Sequence, residues 1–168
     1  LFHRRGASYG RFMLRLRLPN GVLNAAQCKY MDQVISRYGE WGCADITTRQ
    51  NLQLRGIPLE DAPDVLETLQ TLGITSLQSG MDNVRNVVGS PLAGIDPEEV
   101  YDTRALCQAL TEYVTQGFDG NSAISNLPRK FNICVVGSAD MFEHPHINDI
   151  ALVPAQSNDG STFGFHVE

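Results

Sequence analysis

Polar and apolar residues alternate along residues 9–18, YGRFMLRLRL, and no other feature of the sequence constrains the fold as strongly. A period of two is the period of a β-strand, in which successive side chains point to opposite faces of a sheet. The apolar face holds Phe12, Leu14, Leu16 and Leu18, and the opposite face holds Tyr9, Arg11, Met13, Arg15 and Arg17. We therefore predict a half-buried strand with three arginines on its open face.

A helix and a second alternation follow this strand. Asn24 is suited to cap a helix that runs to about Tyr38, before Gly39. Residues 45–55 alternate again and predict two short strands joined near residues 48–50. The predicted buried positions are Cys28, Met31, Ile35 and Tyr38 on the helix and Ile46, Leu52 and Leu54 on the strands.

Another helix and strand complete a known order of elements. Asp61 is placed to cap a helix that runs to about Leu72, and residues 74–78 predict a last strand. The helix is expected to bury Val65, Leu66, Leu69 and Leu72. The order β-α-β-β-α-β is the ferredoxin-like arrangement. If both helices pack on one side of the sheet, the arginines of the strands line the other side.

The residues beyond 80 predict further helix and strand, so the fold class is α+β, with a ferredoxin-like domain in residues 1–80 and the start of another domain in residues 81–168. The run Asp96-Pro97-Glu98-Glu99 is typical of a helix start and predicts a helix to about Gln116. Strands are predicted at residues 133–136 and 147–154. The chain begins at Leu1 rather than Met and stops at Glu168, from which we expect a piece of a longer protein.

The arginines are concentrated in the first third of an acidic chain. The net charge is −6, yet residues 1–56 hold nine Lys+Arg and three Asp+Glu, whereas the remainder holds four and sixteen. Neighbouring arginines repel one another unless an anion lies among them, and each guanidinium can bind a carboxylate or phosphate through two parallel bonds. A polyanionic ligand and an exposed, salt-bridged sheet face explain Arg15, Arg17, Arg49 and Arg55 equally well at this stage.

Other classes of site find little support in the sequence. Cys28, Cys43, Cys107 and Cys134 lack metal-ligand spacing and are interpreted as free thiols. His144-Pro145-His146 favours a structural loop over half a metal site, and there is no phosphate-binding glycine loop or bilayer-spanning run. A nucleotide- or RNA-binding module is disfavoured but stays open, because Tyr9 is the only aromatic residue on the predicted open faces and bases stack on aromatics.

The segment 47–56, TTRQNLQLRG, is similar to the siroheme-dependent nitrite and sulfite reductases, and most closely to the ferredoxin-dependent nitrite reductases among them. The segments FHRR (2–5), MLRLRLPNG (13–21), SGMDNVRN (79–86), NLPRKFN (126–132) and HPHIND (144–149) carry the same resemblance nearly end to end. The resemblance implies a ferredoxin-like half domain followed by part of an α/β siroheme-pocket domain. It implies reduction of nitrite to ammonia, with electrons from ferredoxin, at a siroheme coupled to a [4Fe-4S] cluster.

The resemblance also implies roles for individual residues. Arg49, Gln53 and Arg55, with Arg17 beside them, would bind the carboxylates of the macrocycle. Arg15, Arg85, Lys130 and Asn132 would surround the substrate, with Arg15 and Arg85 drawing in nitrite and Lys130 donating protons. Related sulfite reductases have a lysine in place of Asn132, so this residue favours singly charged nitrite. A sulfite reductase is the alternative within the family.

The family holds its cluster and siroheme iron with cysteines spaced Cys-x5-Cys and Cys-x3-Cys, and neither spacing occurs in this chain. We therefore expect no metal ligand here, Cys134 included, and predict that the chain cannot reduce nitrite by itself. The resemblance further implies ferredoxin and nitrite as partners, no nucleic acid or membrane, and a complete enzyme that is monomeric. It places that enzyme in the cytoplasm of a cyanobacterium or in the plastid stroma.

Overall fold

The computed structural model describes residues 10–39 and 42–168, so Tyr9 and the segment 2–5 lie outside the described residues. The described residues form two three-stranded sheets with helices packed against them. In chain order the elements are β1 (Arg11–Leu16), α1 (Ala25–Tyr38), β2 (Asp45–Ile46), β3 (Leu52–Pro58), α2 (Ala62–Thr71), α3 (Arg104–Thr115), β4 (Ile133–Val135), β5 (Ile150–Gln156) and β6 (Phe163–Val167). None of the helices in this described part is long and apolar enough to cross a membrane.

The first sheet confirms the predicted ferredoxin-like order. Its antiparallel strands lie in the order β1-β3-β2, and a bridge between Arg17 and Thr75 places the segment after α2 on the free side of β1. The predicted strand at residues 74–78 is thereby reduced to one bridge, because the carbonyls of Leu77 and Gln78 turn toward the Arg17 side chain instead of a neighbouring strand. Residues of α1 and α2 pack with Leu16, Leu54 and Ile57 in one core.

A bulge in β3 decides which residues reach this core. Phe12 pairs with Ile57 but Leu14 pairs with Leu54, so β3 has one extra residue between these pairs. Gly56 lies there with a φ of +82°, and a Cβ at this position would lie 2.2 Å from the carbonyl oxygen of Tyr38. Glycine is therefore required, and the bulge lets β3 bury residues on both sides of it.

The helices and edge strand bury fewer residues than predicted. The capping box between Asn24 and Gln27 confirms the start of α1, but the helix buries Met31 and Val34 while Cys28 is exposed. Asp61 makes no capping bond, and its carboxylate pairs instead with Arg37 at 3.5 Å. The prediction is also wrong for three apolar positions: Ile46 and Leu66 are exposed, and Leu72 is half-buried.

The second sheet is built by the residues beyond 80. β4 pairs in parallel with β5, and β6 pairs antiparallel with β5. Residues 84–88 run beside β4 through parallel bridges between Val84 and Phe131 and between Val88 and Cys134. α3 covers one face, where Cys107 packs with the buried Val87 and Val135. The predicted strands at 133–136 and 147–154 correspond to β4 and β5, whereas β6 was not expected from the sequence.

The helix predicted to start at residues 96–99 begins instead at Arg104. Asp96 Oδ1 accepts a hydrogen bond from the backbone of Glu98 at 2.9 Å, which closes a turn. The backbone N–H groups of Val100 and Tyr101 then donate to the carbonyl of Gly137, at 2.8 and 3.1 Å. This pairing and a bridge between Glu99 and Ser138 hold residues 99–101 outside a helix although local propensity favours one, so the prediction was wrong because tertiary contacts override that propensity.

Candidate functional site

A cavity of about 640 Å³ lies between β1 and the segment that follows α2. Its apolar walls come from Met13, Leu14 and Met81, and its charged groups are the guanidinium groups of Arg15 and Arg85. Ser76, Ser79 and Gly80 complete the lining. Such a lining suits a ligand that is apolar over much of its surface and anionic at its periphery.

Arg15 and Arg85 line this cavity, and Arg49 lies close enough to act on the charge of Arg85. Burial lowers the pKa of Arg85, and the charges of Arg15 and Arg49 lower it further, while Asp82 acts in the opposite direction. In the described part of the chain, none of the three guanidinium groups has a carboxylate within salt-bridge distance. The buried Nε atoms of Arg15 and Arg85 also lack a hydrogen-bond acceptor among the residues that the structure describes. The cluster therefore holds unpaired donors and mutual repulsion, both of which a bound anion would relieve.

Arg49 is carried by a tight turn between β2 and β3. The Thr47 hydroxyl accepts hydrogen bonds from the backbone N–H groups of Arg49 and Asn51, at 3.3 and 3.2 Å. The side chain of Gln50 donates to the carbonyl of Gly89 at 2.8 Å and accepts from its N–H at 3.1 Å. Gln50 has a φ of +58°, so these bonds hold a conformation that a free turn would rarely keep. The turn is thereby fixed against the segment that carries Arg85.

The side chain of Arg49 reaches the HPHIND segment. Its Nη1 donates to Asn148 Oδ1 at 3.4 Å, and Asn148 in turn donates to the carbonyl of His144 at 3.1 Å. Burial lowers the pKa of Arg49, and the carboxylate of Asp149 acts in the opposite direction. The long bond to a neutral amide leaves the charge of Arg49 available to an anionic ligand.

Asn86 is bonded to the turn that carries Arg49, and the sequence did not predict this contact. It is fully buried, accepts from the N–H of Leu18 at 3.0 Å, and donates to the carbonyls of Leu18 at 2.7 Å and Arg49 at 3.0 Å. One side chain therefore joins the end of β1, the Arg49 turn and the Arg85 segment. Nothing local distinguishes it, since its partners lie 68 and 37 residues away in sequence.

The prediction that Arg17 lies on the open face is wrong. Arg17 is only 2% exposed, and its guanidinium donates to four backbone carbonyls, those of Leu77, Gln78, Val84 and Arg85. Burial lowers its pKa to about 10, with repulsion by Arg85 as the second cause. Four of the five N–H groups of Arg17 are thus used within the chain, which leaves one for a cofactor carboxylate.

Gln53 and Arg55 lie on the same strand in different surroundings. Gln53 is the cross-strand partner of Arg15, so the two side chains share a face of the sheet. Arg55 Nε donates to Asp45 Oδ2 at 2.5 Å in a pair whose side chains are 39% and 48% exposed. The structure therefore brings Gln53 to Arg15 but gives Arg55 a carboxylate partner of its own.

Lys130 and Asn132 flank a residue that is bonded to the Arg85 segment. The carbonyl of Phe131 accepts from the N–H of Arg85 at 2.7 Å, and its N–H donates to the carbonyl of Asn83 at 3.1 Å. Lys130 is exposed, and Asn132 is 7% exposed with a buried Oδ1 that has no donor in the described part of the chain. The backbone N–H of Asn132 donates to Asp149 Oδ2 at 2.7 Å, which fixes its position.

The cysteines and histidines of the described part form no group of three or more residues suited to a metal ion. Burial raises the pKa of Cys107 to about 12 and that of Cys134 to about 11. A metal binds the thiolate, so both residues are poorly prepared as iron ligands. Cys28 and Cys43 are exposed and lie on or near α1, in the first half of the chain.

The cavity fits the cofactor that the resemblance implies. Siroheme has an apolar macrocycle with many carboxylates around it, and the cavity combines methionine and leucine walls with unpaired guanidinium groups. The fit rests on the buried Nε atoms of Arg15 and Arg85, which have no acceptor among the described residues. Arg15, Arg49 and Arg85 are the residues that would bind such carboxylates or an anion beside them.

Known proteins match this chain over nearly its whole length. Residues 3–72 match the nitrite/sulfite reductase ferredoxin-like half domain, and residues 80–167 match the nitrite and sulphite reductase 4Fe-4S domain. The chloroplastic ferredoxin–nitrite reductase of Oryza sativa subsp. japonica is 59% identical over 99% of this chain, which spans 28% of that relative. The ferredoxin–nitrite reductase of Leptolyngbya laminosa is 55% identical over 97% of this chain and 32% of the relative.

A solved structure shows the same fold. The NirA protein of Mycobacterium tuberculosis superposes with a TM-score of 0.78 at 29% identity, over 94% of this chain and 27% of that one. This agreement confirms the α+β fold with its ferredoxin-like sheet. Together with the two domain matches it shows that the chain belongs to the nitrite and sulphite reductase family.

Proposed function

We propose that this chain is part of a ferredoxin–nitrite reductase, which reduces nitrite to ammonia with electrons from ferredoxin. The observation that carries the proposal is that Arg15 and Arg85 line a partly apolar cavity, with Arg49 near Arg85, and that none of the three has a salt bridge to a described residue. The names of the relatives at 55–59% identity support the choice of nitrite and ferredoxin. Because the chain spans 28% of the rice relative, the proposal concerns a longer protein that contains it.

The cofactors of this proposal are siroheme and a [4Fe-4S] cluster, which when bound would pass electrons from ferredoxin to the substrate. In this chain the groups that would bind siroheme are Arg49 and Gln53. Arg49 lies in the turn between β2 and β3 and reaches Asn148, and Gln53 lies opposite Arg15 on the neighbouring strand of the first sheet. A guanidinium that is partly buried and bonded only to an amide gains most from a carboxylate partner. The iron ligands would come from outside this chain.

Arg15 and Arg85 are the proposed substrate residues. Their unpaired positive charges raise the local concentration of an anion such as nitrite and stabilise negative charge that develops on it. Lys130 is the proposed proton donor, since reduction of nitrite to ammonia consumes protons and an exposed ammonium is replenished from water. Asn132 adds a polar but neutral group, which suits a singly charged substrate.

Two alternatives differ in what they would bind. A sulfite reductase of the same family would use the same cofactor pocket, and a nucleotide- or RNA-binding module would use the sheet without siroheme. The relatives reported above carry the nitrite reductase name, and they do not favour either alternative. The matches to residues 3–72 and 80–167 also support a division into two domains near residue 80.

Three further parts of the proposal follow from the family. The chain is inactive alone, because the iron ligands lie elsewhere and its buried cysteines have raised pKa values. The complete enzyme is a monomer. It works in the plastid stroma or in the cytoplasm of a cyanobacterium, as the chloroplastic and cyanobacterial relatives suggest.

The proposal is tested by comparing this chain with a longer protein that contains it. Both are reconstituted with siroheme and iron–sulfur cluster, and consumption of nitrite and sulfite is measured with reduced ferredoxin. We expect the longer protein to form ammonia from nitrite and this chain to form none. Preference for sulfite would establish the first alternative. Salt-dependent RNA binding without siroheme uptake would establish the second.

A further inference from the structure

One buried side chain holds both ends of the loop that forms a wall of the cavity. The guanidinium of Arg17 donates to the carbonyls of Leu77 at 2.8 Å and Gln78 at 2.6 Å, where the loop leaves the first sheet. It also donates to the carbonyls of Val84 and, at 3.1 Å, Arg85, where the loop joins the second sheet. A single guanidinium group therefore joins the two ends of the loop formed by residues 77–85.

The charge of Arg17 has no carboxylate to balance it among the described residues. Burying an ionised group is costly unless its hydrogen bonds are satisfied. Here the satisfaction comes from carbonyl dipoles, which a planar guanidinium can reach in several directions at once. A lysine has its three N–H groups on one nitrogen and cannot span both ends of the loop in the same way.

The loop carries several of the groups that line the cavity. Arg85 and Met81 line the cavity, and Arg85 Nη2 donates to the carbonyl of Met81 at 2.8 Å. The loop also fixes the segment with Lys130, because the N–H of Leu127 donates to the carbonyl of Asp82 at 2.7 Å and that of Phe131 to Asn83 at 3.1 Å. A displacement of the loop would therefore move several proposed site groups together.

We propose that Arg17 is a positioning residue for anion binding, which fixes Arg85 opposite Arg15 by clamping the loop 77–85. Arg15 lies in β1 and Arg17 directly follows it, where its backbone is bridged to Thr75, so the clamp and one anion-binding arginine have neighbouring supports. The two guanidinium groups at the cavity repel each other, so without a clamp the loop would relax away from β1. The identity of the anion as nitrite rests on the proposed function, whereas the clamp itself is a set of contacts.

The test uses the complete reductase with Arg17→Lys and Arg17→Met. Arg11→Met is the matched control, since Arg11 begins the strand that Arg17 follows, is exposed and donates to the carbonyl of Gly56 at 2.7 Å. Hydrogen exchange is followed in peptides that cover residues 77–88 and, as an internal reference, α2. The KM for nitrite and kcat per bound siroheme are measured on the same samples.

We expect both Arg17 variants to raise KM by about tenfold or more, because a displaced Arg85 no longer donates to the anion. The value of kcat per siroheme changes much less, and exchange becomes faster in residues 77–88 but not in α2. The control behaves like the parent. Because Arg17→Lys keeps the charge, its failure to restore KM shows that the fork of the guanidinium is required.

Parent-like KM in Arg17→Lys would overturn the inference, since a charge alone would then suffice. A loss of kcat per siroheme with unchanged KM would also overturn it, because Arg17 would then act on a step after the anion has bound. If Arg17→Met does not fold, Arg17→Lys and its exchange decide the question. If the parent binds no nitrite, the proposed function fails, and the exchange of residues 77–88 still tells whether Arg17 holds the loop.

Discussion

The cavity end of the first sheet and its exposed edge use the same residue type in opposite ways. At the cavity, Arg15 lies beside Arg85, and the buried Nε of Arg15 has no acceptor within residues 10–39 and 42–168. At the edge, Arg55 on the same sheet face is paired with Asp45 at 2.5 Å, and both side chains are more than a third exposed. The difference teaches that an arginine-rich strand face identifies a ligand site only where carboxylates are missing and other arginines are present.

The energetic consequences of the two arrangements differ in sign. An exposed ion pair such as Arg55–Asp45 contributes about 0–1 kcal/mol to stability and places no demand on a ligand. The cavity cluster is destabilising when empty, because burial and like charge lower the pKa of Arg85. A bound anion would reverse that effect, so ligand binding should stabilise the fold by mass action.

The largest effect is expected from Arg15→Gln in the complete reductase. Loss of a charge-assisted hydrogen bond to the anion costs about 1.5–3 kcal/mol, which is a roughly 10- to 150-fold lower kcat/KM for nitrite. Because the substitution also removes repulsion from Arg85, the Tm of the ligand-free protein should not fall. Steady-state kinetics and thermal unfolding check these two statements. An unchanged kcat/KM with a lower Tm would show that Arg15 stabilises the fold and does not bind the anion.

The next largest effect is expected on the binding of siroheme. Arg49→Ala should lower siroheme occupancy, because it leaves a carboxylate of the macrocycle without its partner. Occupancy is measured as the ratio of siroheme absorbance to protein, with Arg37→Ala as the control from an exposed ion pair. Normal occupancy in Arg49→Ala would remove Arg49 from the proposed site.

The first half of the fold was predictable because its determinants are local. The alternation of residues 9–18 and the Asn24–Gln27 capping box act within a few residues, and both lead to the observed elements. The start of α3 was not predictable in this way. Asp96 and its neighbours favour a helix locally, but their pairing with Gly137 decides the outcome.

The site residues show the same limit more sharply. Arg15 and Arg17 have the same parity on one strand, so no local pattern separates the arginine that faces the cavity from the one that is buried. The acceptors of Arg17 are 60 to 68 residues away. The family resemblance named Arg15 and Arg85 for the same pocket, and the structure places both at one cavity, while their roles remain predictions.

A smaller effect is expected where the charge of the site is increased. Asn132→Lys adds a positive charge at a buried position whose Oδ1 lacks a donor. It should shift the ratio of kcat/KM values toward sulfite, which carries more negative charge than nitrite. The ratio is measured on one preparation with both substrates, and Asn132→Gln controls for size without charge. An unchanged ratio in Asn132→Lys would remove the main residue-level argument for nitrite.

The smallest effect is expected at the exposed edge. Arg55→Gln should change the free energy of unfolding by about 0–1 kcal/mol, and Asp45→Asn should match it, because each removes the same exposed pair. Siroheme occupancy and nitrite kcat/KM should stay at the parent values in both variants. If Arg55→Gln instead lowered occupancy as Arg49→Ala does, while Asp45→Asn did not, Arg55 would exchange Asp45 for a cofactor carboxylate. The Arg55–Asp45 ion pair would then be one that opens when the cofactor binds, rather than a permanent pair at the protein surface.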